Sequence, residues 1–258
     1  MKVLFIGDIV GKPGREAIKK LLPQLKKEYN LDFVIANAEN AAGGSGITSA
    51  VARELFSLGI DVLTSGDHIW KRKEIFEIIT SEERILRPLN FPLGTPGKGW
   101  GLFNTGRIKI GVINVNGRVF LEALECPFRT TRAAQEELSP QTKIIIVDIH
   151  AEATSEKVAL GWYLDGKVSA VLGTHTHIQT ADERILPQGT AYITDVGMTG
   201  PYDSVIGRKI EDVLERFLSA LPVRFEVAQE NVQLHAVVLD IDEETGKARC
   251  ILRIQRKI

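Results

Sequence analysis

Short apolar runs recur along the chain, and most of them end in polar or glycine-containing turns. They occupy residues 3–6, 33–36, 62–63, 108–115, 144–147, 170–172 and 191–193. Runs of this length are typical of strands that are buried on both faces of a sheet. We therefore predict a strand at each of these positions.

Between several of the runs, apolar residues recur at helical spacing. The helical patterns cover residues 15–29, 49–58, 71–79, 131–138, 156–164 and 208–221. Pro23 is expected to kink or shorten the first of them. Strands that alternate with helices indicate right-handed βαβ crossovers and a largely parallel central sheet. We predict one α/β domain over residues 1–258, because no repeat, low-complexity tract or long linker divides the chain.

The C-terminal part has a different pattern. Residues 232–241 and 248–254 alternate apolar and polar side chains on either side of the polar turn 242–247. Alternation of period two around a short turn is typical of an antiparallel β-hairpin. We therefore predict a hairpin after the alternating strands and helices.

Composition and charge exclude several classes of protein. A hydrophobic content of 44% and a charged content of 25% over 258 residues are those of an ordinary globular protein. A net charge of −1 gives no overall basic field for nucleic acid, so any phosphate must be bound by a local site. Cys126 and Cys250 match no metal or redox spacing. Because no apolar stretch has membrane length or the form of a signal peptide, we expect a cytoplasmic protein without a membrane segment.

The residues that carry chemistry come directly after predicted strands. Open α/β sheets bind ligands at the carboxyl ends of their strands, so we expect these residues to meet at one edge. Four of the five histidines of the chain are among them. The residues are Asp8, Asn37, Glu39, Asn40, Asp67, His68, Asp148, His150, His175 and His177.

Such a set indicates a metal centre. Imidazoles combined with carboxylate and amide oxygens suit Zn, Mn, Fe or Ni better than Ca or Mg. The side chains are too many for one ion. Two ions about 3.5–4 Å apart and bridged by a carboxylate would use them all, and that arrangement serves phosphoryl hydrolysis.

The order of these residues resembles the calcineurin-like metallophosphoesterases. Two longer stretches, residues 150–207 and the N-terminal GDIVGKPGR, are similar to a bacterial branch of that superfamily, the 2′,3′-cyclic-nucleotide 2′-phosphodiesterases. The resemblance covers nearly the whole chain and implies a four-layer α/β/β/α sandwich. The ordered set is Asp8, Glu39-Asn40, Gly66-Asp67-His68, His150 and Gly173-Thr174-His175-Thr176-His177.

The resemblance also implies a role for each residue and two transition-metal ions, divalent or of mixed valence (Fe, Mn or Zn). A hydroxide that bridges the ions would attack a small phosphodiester such as a cyclic nucleotide, and His68 would protonate the leaving oxygen. RNA ends are a further expected substrate, and a homo-oligomer is expected. Asp8, Asn40 and His177 would hold one ion, Asp67, His150 and His175 would hold the other, and Glu39 would bridge them.

Two positions depart from the usual pattern of the superfamily. Val10 stands where most members have a histidine, and Asn40 would replace that ligand. Asp67 stands in a Gly-Asp-His triplet where Gly-Asn-His is usual, which strengthens ion binding but lowers the positive charge of the site by one. A second hypothesis therefore stays open, namely a metal-binding regulatory or scaffold protein with weak or no phosphatase activity.

Other interpretations fit less well or are undecided. The stretch GDIVGKPGR has the wrong spacing for a P-loop and continues into Pro13. A (β/α)₈ amidohydrolase also uses an H-x-H pair, but on its first strand, and a C-terminal hairpin does not fit a barrel. His235 lies in an alternating strand and is expected to be structural. The loop 41–46 is either a phosphate cradle or a connection, and the segment 195–207 is either a pocket wall or a connection.

Overall fold

A computed structural model describes all 258 residues and contains thirteen strands, five α-helices and two short 3₁₀ helices. The strands are β1 (Lys2–Ile6), β2 (Asp8–Ile9), β3 (Phe33–Asn37), β4 (Val62–Thr64), β5 (Trp100–Asn104), β6 (Lys109–Asn116), β7 (Ile144–His150), β8 (Ala170–Thr174), β9 (Arg184–Ile185), β10 (Ala191–Ile193), β11 (Met198–Pro201), β12 (Val232–Ile241) and β13 (Ala248–Lys257). The α-helices are α1 (Gly11–Tyr29), α2 (Ser49–Ser57), α3 (Pro127–Leu138), α4 (Thr154–Leu164) and α5 (Ile210–Ser219).

The strands form two sheets. The first has seven strands in the order β2-β11-β12-β1-β3-β4, with β13 paired to β12. The second has six strands in the order β5-β6-β7-β8-β10-β9. In the second sheet β6, β7, β8 and β10 are parallel, whereas β5 and β9 pair antiparallel at its two edges.

The expectation of one largely parallel sheet was therefore wrong. The predicted C-terminal hairpin exists, but its strand β12 inserts beside β1 and pairs antiparallel with it. On its other side β1 pairs in parallel with β3. Both sheets are therefore mixed: the hairpin puts antiparallel pairs inside the first sheet, and β5 and β9 put them at the edges of the second.

The alternation of side chains along each strand produces the layers. In β1, Leu4 and Ile6 pack with α1 and α2, whereas Val3 and Phe5 lie between the two sheets. In the same way β7 directs alternate residues toward the first sheet and toward α3 and α4. Three apolar cores therefore separate four layers, and the predicted α/β/β/α sandwich is confirmed.

The helix predictions were correct except at two places. Helix α1 begins at Gly11 and continues through Pro23, so the proline does not shorten it. Residues 71–79 do not form an α-helix, because Arg72 takes an extended conformation (φ −118°, ψ 120°) between the 3₁₀ helices Ile69–Lys71 and Lys73–Glu77. The apolar runs did not predict β2, β5, β9 and β11, which are short or carry glycine. None of the helices has the length and apolar character required to cross a bilayer.

Candidate metal centre

The predicted site residues come together at the carboxyl ends of strands from both sheets. Those from the first sheet lie in β2 or directly after β3 and β4, and those from the second sheet end β7 or follow β8. The packing of the two sheets therefore determines how the two halves of the site meet. The residues brought together are Asp8, Glu39, Asn40, Asp67, His68, His150, His175 and His177.

Four of these side chains form a first cluster with the geometry of a metal site. One ligand atom from each of Glu39, Asp67, His150 and His175 lies within 4.8 Å of the others. The Nε2 atom of His150 is 3.2 Å from Glu39 Oε2, 3.3 Å from Asp67 Oδ1 and 3.0 Å from His175 Nδ1. Two nitrogens and two carboxylate oxygens thus surround one point.

A second cluster shares Glu39 with the first. Asn40 Nδ2 is 2.9 Å from Glu39 Oε1 and 3.2 Å from His177 Nε2, and Asp8 Oδ1 is 4.0 Å from the same His177 nitrogen. Asp8 Oδ1 is buried and has no hydrogen-bond partner. A buried carboxylate oxygen without a partner is costly, and a cation would satisfy it. Asp8 and His177 thus offer ligand atoms for a second ion beside the first, whereas Asn40 turns its amide nitrogen, not its oxygen, toward them.

Burial and neighbouring charges shift the pKa values of three groups in the site. Burial raises the pKa of Asp8 well above its ordinary value, because His150 offsets only part of the cost of the buried charge. Burial also opposes the charge of His150, but Glu39 and Asp67 outweigh it and raise the pKa of His150 well above its ordinary value. Burial and the neighbouring His150 lower the pKa of His175 to about 4. The carboxylates thus favour a positive charge at the centre of the site, which metal cations would supply.

Outer hydrogen bonds orient the imidazoles. His177 Nδ1 donates to the carbonyl oxygen of Ile206 at 2.9 Å, so its Nε2 lone pair faces the second cluster. Thr174 Oγ1 donates to Asp148 at 2.7 Å and accepts from His150 Nδ1 at 2.9 Å, which leaves His150 Nε2 for the first cluster. Such partners fix the ring orientation of metal-binding histidines.

The two histidines of the GTHTH segment reach different clusters because of the backbone between them. His175 and His177 have φ values of 100° and 66°, conformations that cost non-glycine residues roughly 1–3 kcal/mol each. Thr176 is held between them by Asp195, whose Oδ2 accepts from the Thr176 N–H at 3.0 Å and its hydroxyl at 2.7 Å. The same oxygen accepts from Lys157 Nζ at 2.8 Å, and both charged side chains are buried. This ion pair supports the loop in its strained form.

Asp195 and Lys157 were not predicted to belong to the site. Asp195 follows the apolar run 191–193, the same signal that selected the other strand-end residues. The glycines and the proline after it, however, indicate only a turn-rich segment. Lys157 gave no such signal, because a lysine within a helical pattern normally points to solvent.

The backbone at position 66 passes so close to His150 and Glu39 that only glycine fits there. A Cβ atom there would be 2.2 Å from His150 Cδ2 and 2.3 Å from Glu39 Oε2, which are impossible distances. The glycine of the Gly-Asp-His triplet therefore makes room for the first cluster.

A cleft of about 720 Å³ opens beside the two clusters. His68 lies in its wall, half-buried, with Nδ1 2.8 Å from Asn40 Oδ1. Both segments left undecided by the sequence border this cleft, residues 41–46 through Gly44 and Ser45, and residues 195–207 through Val205 and Ile206. Five residues of the predicted site therefore line the cleft, namely Glu39, Asn40, His68, His175 and His177.

The fifth histidine of the chain, His235, lies outside the site. It is in β12, where its ring stacks on Tyr202 with centroids 4.3 Å apart and its Nδ1 is 2.6 Å from the Tyr202 hydroxyl. Trp70 stacks on Phe76, with ring centroids 5.1 Å apart. The site therefore brings together four of the five histidines, as the strand-end positions predicted.

Two packed sheets between helices, with histidine and carboxylate side chains at the strand ends of both sheets, define an α/β/β/α sandwich of the metallophosphoesterase type. The same fold occurs in the NAD nucleotidase of Haemophilus influenzae, with a TM-score of 0.64 and 13% identity over 100% of this chain and 56% of that one. At this identity the likeness concerns the fold alone.

The chain belongs to the YmdB-like protein family, whose profile matches residues 4–254. It is 52% identical over 254 residues to a Bacillus subtilis (strain 168) protein named 2′,3′-cyclic-nucleotide 2′-phosphodiesterase, an alignment that covers 98% of this chain and 96% of the relative. A crystal structure of a hypothetical protein from Thermus thermophilus aligns with a TM-score of 0.94 and 44% identity, over 100% of this chain and 99% of that one. The resemblance inferred from the ordered residues is confirmed.

Proposed function

We propose that the protein is a metal-dependent phosphodiesterase that hydrolyses 2′,3′-cyclic nucleotides at a pair of metal ions. The observation that carries this proposal is the convergence of two ligand clusters on Glu39, next to a cleft large enough for a nucleotide. The name of the Bacillus subtilis relative supports the substrate.

Glu39 would hold both ions, because its two carboxylate oxygens face different clusters. Its Oε2 is 3.2 Å from His150 Nε2 in the first cluster, and its Oε1 is 2.9 Å from Asn40 Nδ2 in the second. The nitrogen and oxygen ligands suit Fe, Mn or Zn. When bound there, two such ions would supply a hydroxide nucleophile at neutral pH and would neutralise the phosphoryl oxygens. The chain itself needs no covalent nucleophile for this reaction.

The cleft also offers positive charge for the phosphate. Arg208 and Arg216 line it, and the polar contacts of both guanidinium groups are with backbone carbonyls, those of Gly44 and Ala220. Arginines without a carboxylate partner remain available for charge-assisted bonds to phosphoryl oxygens.

His68 donates the proton to the departing ribose oxygen. Its Nδ1 is held by Asn40 Oδ1 at 2.8 Å, and its Nε2 is 3.7 Å from Asp67 Oδ2 at the border of the first cluster. A protonated ring held through Nδ1 can present the N–H of Nε2 to a substrate in the cleft. A positioned acid of this kind contributes typically about 10²–10⁴-fold to the rate.

Asp67 favours the second hypothesis, a metal-binding regulatory or scaffold protein. Its Oδ1 lies 3.3 Å from His150 Nε2 and 3.6 Å from His175 Nδ1, so its charge is added directly to the first cluster. The extra negative charge reduces the attraction of the site for an anionic phosphate. A protein of this kind would hold its ions and turn over poorly.

Further substrates, the cellular compartment and the assembly of the protein follow from the same resemblance. RNA ends with a terminal 2′,3′-cyclic phosphate present the same reacting group and are included as substrates. The two cysteines are unpaired, which supports a reducing, cytoplasmic setting. We further propose that residues 1–258 act as one domain and that the protein is a homo-oligomer, as the resemblance implies.

Metal-loaded protein assayed with 2′,3′-cyclic AMP tests the proposal, with 3′,5′-cyclic AMP as the matched substrate control. We expect two transition-metal ions per chain by elemental analysis and release of a nucleoside monophosphate from the 2′,3′-cyclic substrate. Two bound ions without hydrolysis of any phosphodiester would favour the regulatory hypothesis instead. Fewer than two ions at saturating metal would contradict the paired site.

A further inference from the structure

One wall of the cleft is apolar and takes no part in the metal chemistry. Helix α5 contributes Val213 and Phe217, and the chain after it contributes Phe225. Phe217 is 79% exposed and Phe225 is 39% exposed, and both line the cleft. Large apolar side chains exposed in a cleft mark a binding surface rather than a core.

We propose that Phe217 and Phe225 form a nucleobase subsite, which rests on the phosphodiesterase function proposed above. The apolar wall and the metal ligands border one continuous cleft of about 720 Å³, within the usual range of roughly 300–1,000 Å³ for ligand pockets. A cyclic nucleotide with its phosphate at the metal edge therefore has its base available for contact with this wall. Aromatic side chains stack on any base, because every base has a π-face.

The chemistry of the wall suits a base better than an aliphatic group. Arg208 and Arg216 line the same cleft and remain available for the phosphate, while the base would contact the rings of Phe217 and Phe225. The cleft thus places aromatic faces beside cationic groups. The subsite is expected to accept both purines and pyrimidines, since stacking does not read the base edge.

Helix α5 carries a second apolar stripe that provides a matched control. Val213 and Phe217 are four residues apart and line the cleft, whereas Leu214 and Leu218 follow each of them by one residue and do not line it. Residues four apart lie on one helix face. Leu218 is 85% exposed, so its truncation removes a comparable apolar surface from the same helix outside the subsite.

The test compares two substrates in the Phe217→Ala variant. One is 2′,3′-cyclic AMP and the other is methyl riboside 2′,3′-cyclic phosphate, which lacks a base. We expect KM for cyclic AMP to rise about tenfold with kcat nearly unchanged, from the cost of losing one stacking contact. The base-free ester should be hydrolysed as before. Phe217→Trp should retain the wild-type KM, and Leu218→Ala should leave both substrates unaffected.

The possible failures have different meanings. An equal loss on both substrates would overturn the subsite, and a changed molecular mass by light scattering would then assign Phe217 to a contact between two copies of the chain. Unchanged kinetics on both substrates would overturn the subsite but leave the phosphodiesterase function intact. If the wild-type protein hydrolyses neither ester, binding of adenosine decides, because the subsite requires that Phe217→Ala weaken it about tenfold.

Discussion

The two ends of the cleft are constructed in opposite ways. At the metal end Asp8, Glu39 and His150 are buried, and partners on both sheets hold them in place. At the apolar end α5 buries only Val213, and Phe217 lines the cleft while 79% exposed. Chemistry requires atoms held within a fraction of an ångström, whereas stacking on a base tolerates movement. We therefore expect large effects of mutation at the first end and modest ones at the second.

Asp8→Asn is expected to have the largest effect at the metal end. The amide keeps the shape of the side chain but removes the charge of the buried, unpartnered oxygen. We expect one of the two ions to be lost and hydrolysis to fall about 10⁴-fold, since ion stabilisation contributes several kcal/mol. Elemental analysis and initial rates measure both quantities. Asp240→Asn is the control, because Asp240 pairs with Lys2 at the surface. Full occupancy and full activity in Asp8→Asn would remove this residue from the site.

His68→Ala should separate proton donation from metal binding. We expect both ions to remain, while turnover of 2′,3′-cyclic AMP falls about 10²–10⁴-fold because its leaving alkoxide needs a proton. An ester with a p-nitrophenyl leaving group needs no such proton and should lose far less. Loss of metal in parallel with activity, or an equal loss on both esters, would assign His68 another role.

The sequence was sufficient to predict most of the metal end. Strand-end positions are determined by where each apolar run stops, and the ends of parallel strands share one edge. This is why Asp8, Glu39 and His150, distant in sequence, were expected to meet; they do, but His150 comes from the second sheet, so the packing of the two sheets brings them together. The order of the strands in the sheets could not be predicted, because nothing in the alternating pattern of β12 indicates that it pairs with β1.

The supporting residues and the apolar end were not predicted, for a physical reason. Lys157 is buried because its Nζ pairs with Asp195. The pattern of apolar residues in a helix gives no information about such a long-range ion pair. Phe217 fits the apolar stripe of a helix that packs on a core, yet α5 leaves it in the cleft. Periodicity shows that a helix has an apolar face, but not whether protein or ligand covers that face.

The pair of Asp195 and Lys157 gives the smallest predicted effect at the metal end. Asp195→Ala removes the acceptor that holds Thr176, so the strained conformations of His175 and His177 lose their support. We expect the protein to bind metal about 10–100-fold more weakly, the usual cost of losing an outer partner of a ligand. Titration of metal-free protein with Mn²⁺ measures this affinity.

A double variant separates the effect of Asp195 on the position of the histidines from its effect on the stability of the fold. Asp195→Asn combined with Lys157→Met keeps an acceptor for Thr176 and removes the lysine that would otherwise be buried without its partner. We expect this double variant to recover most of the metal affinity. Lys157→Met alone keeps Asp195 as the acceptor of Thr176, so its metal affinity should also stay near that of the wild type. If all three variants lower the melting temperature but bind Mn²⁺ as tightly as the wild type, the ion pair stabilises the fold without positioning the histidines. A metal affinity that changes with the Thr176 acceptor, independently of the melting temperature, identifies Asp195 as a positioning residue.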